Sequence, residues 1–231
     1  MAESDKGQGV AVLCSGGLDS AVLLAAVANS AAGDGIVQPI YVSVGLAWER
    51  DERAILERLL RTPPFRGAAP IASLHFDMRD IYPATHWAIR GEAPGFDTPD
   101  EDVYLDGRNI VLLSKAAVYM ARARLTRVFV GPLAGNPFPD ATPEFFTAMA
   151  RALSLGLAAP IEVSAPYSTM SKTEVIAEGR RLGVPLELTL SCMQPVGGLH
   201  CGRCSKCRER RDAFIAAGGG DPTPYAEAPL R

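Results

Sequence analysis

No stretch of about 18 apolar residues occurs in the chain, so the sequence offers no helical membrane span. A strong charge of either sign is also missing. Lys and Arg number 23 against 26 Asp and Glu, a formal net charge of −3. That gives no global attraction to phosphate backbones, although it leaves room for a local basic patch. The composition of a disordered chain is absent too: charged residues make up 21% and hydrophobic residues 48%, enough to build a core. Met1 to Lys6 is polar and runs straight into a strand-like segment, with no apolar region or cleavage site between. The expectation is therefore no secretory leader and a cytoplasmic location, where thiols stay reduced. There is no internal repeat. Cysteine is scarce, five in 231 residues, and a chain of this length needs no disulfide staples. Yet four of the five, Cys192, Cys201, Cys204 and Cys207, fall close together, and that clustering reads as metal binding.

What is present alternates. Gly9–Cys14 is a short continuous apolar run that suits a strand buried on both faces. Helical patterns follow at Ser20–Val27, Trp48–Leu60, Asn109–Ala123, Pro143–Leu155 and from Ser171 onward. Gly33 and Gly35 punctuate the first of these, and further strand candidates are Val37–Val44, Ile71–Met78 and Arg127–Val130. Asn109–Ala123 is apolar on nearly all sides and is expected to be buried. Thr142 followed by Pro143 reads as a helix start, and Ser171 with Glu174 as a capping box. Residues 83–107 hold several prolines, glycines and acids and read as a long irregular connection. Such alternation predicts an α/β fold: a doubly wound parallel sheet with helices on both faces. Residues after Ala216 read as a loose end.

Ser15-Gly16-Gly17-Leu18-Asp19-Ser20 joins the first strand to the first helix. Glycines there let backbone N–H groups approach an anion, and the helix N-terminus adds about half a positive charge. Ser15 and Ser20 add hydroxyl donors. Asp19 cannot bind phosphate directly, so its task is to hold Mg²⁺ or to fix the loop. The Walker lysine and the dinucleotide glycine spacing are both missing. The plainer alternative is a tight turn with a helix cap.

Cys192-x8-Cys201-x2-Cys204-x2-Cys207 can chelate one tetrahedral ion, and four thiolates close the shell of a structural zinc site. Four thiolates also suit an iron–sulfur cluster. His200 reads as a neighbour of the site rather than a ligand. Arg203, Lys206, Arg208, Arg210 and Arg211 would balance thiolate charge or contact a phosphate. Cys14 reads as a small core residue.

The loop resembles the pyrophosphate loop of the ATP pyrophosphatase (PP-loop) superfamily. Together with the cysteines it resembles the 7-cyano-7-deazaguanine synthase family. Gly107-Arg108-Asn109, Pro139-Asp140-Ala141-Thr142-Pro143-Glu144-Phe145, Met170-Ser171-Lys172-Thr173-Glu174 and Leu182-Gly183-Val184-Pro185 are further matches, so the resemblance covers nearly the whole chain. Two segments depart from it. Val44–Arg50 lacks the family's Gln-Arg-His, and 131–138 is shorter and more apolar than its counterpart.

The resemblance implies a Rossmann-like, adenine nucleotide alpha-hydrolase-like ATP domain over 1–190. A zinc knuckle over 191–215 and a flexible tail over 216–231 complete the division. It implies ATP and Mg²⁺ on Cys14, Ser15, Gly16, Gly17, Leu18, Asp19, Ser20, Ala21, Val22, Leu23 and Leu24, and one structural Zn²⁺ on Cys192, Cys201, Cys204 and Cys207. Asp19, Lys172 and Arg108 would be catalytic, with Asp140 and Glu144 at the substrate. A first-turn helix position is the alternative for both Lys172 and Glu144. The implied enzyme is an ATP-dependent carbon–nitrogen ligase. It converts the carboxylate of 7-carboxy-7-deazaguanine, with free ammonia, to the nitrile of a queuosine precursor, as a homodimer without stable nucleic acid or membrane partners. Competing readings are a related enzyme that stops at an amide or takes another carboxylate, and a zinc-knuckle nucleic-acid binder.

Overall fold

The computed structural model describes residues 9–30 and 35–229; Met1–Lys6 and Gly33 lie outside them. The elements, in chain order, are β1 (Val10–Leu13), α1 (Leu18–Ser30), β2 (Val37–Ser43), α2 (Glu49–Leu59), β3 (Ala72–His75) and α3 (Trp87–Arg90). There follow α4 (Arg108–Ala123), β4 (Arg127–Phe129), α5 (Pro143–Leu157), β5 (Glu162–Ser164), α6 (Lys172–Arg181) and α7 (Ser205–Ala217). The five strands form one parallel sheet in the order β3-β2-β1-β4-β5. Ala11 and Val12 of β1 are fully buried, as the central strand of a sheet covered on both faces requires.

Two apolar clusters flank the sheet. One packs α1, α2, α6 and α7 on one face, through Val22, Leu24, Leu56, Val175, Ile176 and Phe214. The other packs α3, α4 and α5 on the opposite face, through Ile40, Ala88, Leu113, Met120 and Phe146. This is the doubly wound α/β arrangement. No described helix is long and apolar enough to cross a membrane.

Both helix starts form as read. The Thr142 side chain accepts from Phe145 N with Pro143 in the first turn, and Ser171 and Glu174 make the reciprocal box. Other expectations change. In α4 only Leu113, Ala116, Ala117 and Met120 are buried, whereas Ile110 and Val118 are about half exposed. The i, i+3, i+4, i+7 stripe meets the sheet and nothing among the described residues covers the opposite side. Residues 83–107 are mostly irregular but carry α3 and a 3-10 turn at Asp100–Val103. Buried Ala88, Val103 and Leu105 pin them to the second cluster. Within the segment expected as a flexible tail, residues 221–226 are tied to the cysteine element. Pro224 O accepts from His200 N, Ala226 N donates to His200 O, and Thr223 Oγ1 accepts from Arg210 Nε at 2.6 Å.

Candidate functional site

The chain runs outward from β1 to β3 and then returns to place β4 on the other side of β1. Strand order reverses between β1 and β4, and a crevice opens there at the carboxyl ends of the strands. Two adjoining cavities of about 300 and 320 Å³ occupy it and share Ser15, Gly17, Asp19, Arg108, Asn136 and Phe138. The glycine loop forms the floor, and 131–138, after β4, forms one wall.

The loop is held by its own hydroxyls. Ser20 Oγ accepts from Ser15 N at 3.3 Å and donates to Gly17 O at 3.0 Å, while Ser15 Oγ accepts from Gly17 N at 3.3 Å. Leu190 N donates to Gly16 O at 2.9 Å, which ties the loop to the segment entering the cysteine element. Gly16 has φ +79°, and a Cβ there would meet Glu52 O at 3.0 Å and Leu56 N at 3.3 Å. Both are backbone atoms and cannot swing aside. Gly16→Ala is expected to cost about 1–3 kcal/mol of stability through strain at that site, read as a lowered melting temperature. Of the stretch assigned to ATP, Ala21, Val22, Leu23 and Leu24 are instead buried in the first apolar cluster and line neither cavity. They anchor the helix whose N-terminus faces the crevice. Cys14, also buried, lines the first cavity, and burial pushes its thiol pKa up.

Lys172, from the capping-box turn of α6, reaches the loop. Its Nζ lies 2.6 Å from Asp19 Oδ2 and 3.1 Å from Glu209 Oε1, and its side chain is 15% exposed. It is therefore not a solvent-facing residue. Burial opposes its charge, but the two carboxylates outweigh burial and raise its pKa. Glu209 also meets Lys206 Nζ at 2.7 Å. Burial pushes the Glu209 pKa up, and the two ammonium groups reverse that to about 2. Asp19 Oδ1 is buried without a hydrogen-bond partner. An anionic oxygen in that state is suited to a cation.

Arg108 opens α4 and lines both cavities, with its Nε buried and unpaired. Asp140 is buried, lines the first cavity and accepts from Asn109 N at 3.0 Å and from Asn109 Nδ2 at 3.4 Å. It caps the start of α4 from outside, since Gly107 has no side chain to do so. Glu144 is not brought to the crevice: it is exposed in the first turn of α5 and lines neither cavity.

The departing segment at 44–50 and the turn of α2 after it carry two buried acids, Glu49 and Glu52, that motif spacing does not reveal. Glu49 accepts from Val44 N at 2.7 Å, Gly45 N at 3.1 Å and Ser43 Oγ at 2.6 Å. Glu52 accepts from Tyr41 Oη at 3.2 Å and Trp48 Nε1 at 3.1 Å, and with Trp48 lines the second cavity. Burial raises the Glu52 pKa to about 7, against the pull of Arg108. The folded protein thus keeps this proton at pH values where the unfolded chain has lost it. That contribution to stability is present below about 4.5 and is lost as pH rises toward about 7. Glu52→Gln, measured by denaturant melts across this window, is expected to flatten the decline.

The four remaining cysteines converge. All their sulfurs lie within 4.8 Å of one another and all are buried. Three Sγ separations are 3.5 Å (Cys204–Cys207), 3.8 Å (Cys201–Cys207) and 3.9 Å (Cys192–Cys204). Gln194 N and Cys201 N each point at Cys192 Sγ at 3.3 Å, and Arg203 N at Cys201 Sγ at 3.4 Å. Such donors favour thiolate over thiol. The cluster can hold a metal ion. His200 is buried beside it, but its Nε2 accepts from Ser191 N at 3.0 Å, which engages it outside the sulfur set. Arg210 is fully buried and donates to Thr189, Ser191, Thr223 and Leu186 O.

Comparison with known proteins agrees with this geometry. A family model described as "Queuosine biosynthesis protein QueC" matches residues 87–218. The 7-cyano-7-deazaguanine synthase of Methanothrix thermoacetophila is 37% identical over 225 residues, covering 92% of this chain and 96% of that protein. That of Methanoculleus marisnigri is 34% identical over 218 residues, with the same coverage. Among solved structures, the U34-tRNA thiolase NcsA from Methanococcus maripaludis, with its [4Fe-4S] cluster, aligns at a TM-score of 0.54. It shares 10% sequence identity over 94% of this chain and 69% of that one, a likeness of fold alone. By identity to these synthases over 92% of its length and by the family match over residues 87–218, the chain belongs to the 7-cyano-7-deazaguanine synthase family.

Proposed function

We propose that the protein converts 7-carboxy-7-deazaguanine, ATP and ammonia to 7-cyano-7-deazaguanine, acting as an ATP-dependent carbon–nitrogen ligase. The observation that carries the reading is the crevice itself. A glycine loop, an α-helix N-terminus, Lys172 and Arg108 face one space at the strand reversal, in a chain of this family. The substrate carboxylate attacks the α-phosphate of ATP, forming the acyl adenylate and releasing pyrophosphate. Ammonia then displaces AMP to leave the amide. The amide oxygen attacks a second ATP in the same way, and loss of AMP with a proton from nitrogen leaves the nitrile.

The loop N–H groups and Ser20 take phosphate oxygens, and the helix N-terminus supports their charge. Lys172 and Arg108 stabilise the departing pyrophosphate. The unpaired Asp19 Oδ1 fits Mg²⁺, which when bound would neutralise phosphate charge. Asp140 sets the start of α4 and so the direction of Arg108.

Zn²⁺ fits the cysteine site. A tetrahedron with Zn–S distances of about 2.3 Å has S···S separations of about 3.8 Å; three of the six separations bracket that value and none exceeds 4.8 Å. A four-iron cluster places its own sulfides between the irons, and sulfurs this close leave no space for them. Four protein ligands make the ion structural.

Against nucleic-acid binding stands the use already made of the basic residues. Arg210 is buried, Arg208 donates to Thr98 O, Arg211 covers the Phe96 ring and pairs with Asp212, and Arg203 pairs with Glu227. Release of AMP and pyrophosphate that depends on added 7-carboxy-7-deazaguanine tests the proposal; release that is independent of it overturns the substrate.

A further inference from the structure

We propose that Lys206 is a phosphate-contacting residue of the ATP site, delivered into the crevice by the cysteine-anchored start of α7. The inference rests on the ATP reading above. Cys204 is the cap of α7 and Cys207 lies in its first turn, so Lys206 sits between two residues of the sulfur cluster. A backbone held on both sides fixes where that side chain starts. Within 203–211 it is the one basic residue that lines the second cavity, among the described residues. Its neighbours have structural work: Arg208 holds the 98 loop, Arg210 fills the interior and Arg211 lies over Phe96.

The charges around it form a chain. Asp19 Oδ2 meets Lys172 at 2.6 Å, Lys172 meets Glu209 Oε1 at 3.1 Å, and Glu209 Oε2 meets Lys206 at 2.7 Å. Asp100 Oδ1 lies a further 3.4 Å from Lys206. Glu209 thus places two ammonium groups side by side over the loop. Two like charges sharing one carboxylate repel each other, and a half-open ion pair returns little stability. A bound polyphosphate turns the same arrangement into a paired clamp, with the two ammoniums on its oxygens and Asp19 on the accompanying cation. The charge that grows on pyrophosphate as it leaves is then met from the α6 and α7 sides together.

Isothermal titration of the full-length, metal-containing protein with magnesium pyrophosphate tests this. Lys206→Ala is expected to weaken binding about tenfold or more, as loss of a charge-assisted contact does. Lys206→Arg should recover most of it, with metal content and melting temperature unchanged in both. Wild-type affinity in Lys206→Ala overturns the inference and leaves the ATP reading standing. So does a loss that Arg does not restore, or one that follows a fall in metal content. Should Lys206→Ala fold poorly, Lys206→Gln keeps the length without the charge and is read in the same way. A wild-type protein that binds neither pyrophosphate nor ATP overturns the ATP reading, and the inference with it.

Discussion

Asp19→Ala is expected to abolish ATP–pyrophosphate exchange, by on the order of 10³-fold, the scale of losing one preorganised charge stabiliser in an active site. Asp19 stands in the first turn of α1, beside the glycine loop, with one oxygen on Lys172 and the other buried and unpaired. A carboxylate so close to a triphosphate repels it unless a cation lies between. Asp19→Asn keeps the shape and loses the charge, so it should fail almost as fully. The fold should survive both, because Lys172 keeps Glu209 as a partner and α1 is anchored by Val22 and Leu24. Exchange at the wild-type rate in either variant would remove the loop from the mechanism.

Loss of the metal has the second large effect. Elemental analysis should find about one zinc per chain. Cys204→Ser or a strong chelator should remove it and lower the melting temperature by about 10 °C or more, since the binding energy of a structural ion is folding energy. Cys204 caps α7, and the element it organises carries buried Arg210 and Phe214. Limited proteolysis should then cut within residues 191–215, where the metal-bound protein is expected to resist. A chain that holds iron, or that melts identically with and without chelator, refutes the zinc assignment.

How far the sequence could be read follows from distance along the chain. Strands β1 and β2 were legible as largely apolar runs, and β3 and β4 because each lies inside or beside a longer apolar stretch, 71–78 and 127–130. β5 was not, since Glu162-Val163-Ser164 is three residues long with one apolar side chain. α7 hid behind cysteines and charges: its core side, Cys207, Arg210, Ala213 and Phe214, includes a buried arginine that hydropathy counts as exposed. The loop and the sulfur cluster were visible as local spacings. Glu209 was not, because its meaning depends on Lys172 and on the fold that brings residues 19, 172 and 209 together. Trp48 lies where the family motif is altered and Glu52 just beyond it, so motif matching marked a gap. The structure shows a buried acid-and-indole wall in that place. Glu144 went the other way: it matched a motif, yet a first-turn helix position keeps it on the surface.

The most direct test is mass spectrometry of the products formed from 7-carboxy-7-deazaguanine, ATP and ammonia. The nitrile is the expected end product, with two AMP and two pyrophosphate released for each. Accumulation of the amide with a single AMP, or an unchanged acid, would contradict it and assign the altered walls at 44–50 and 131–138 to a different reaction.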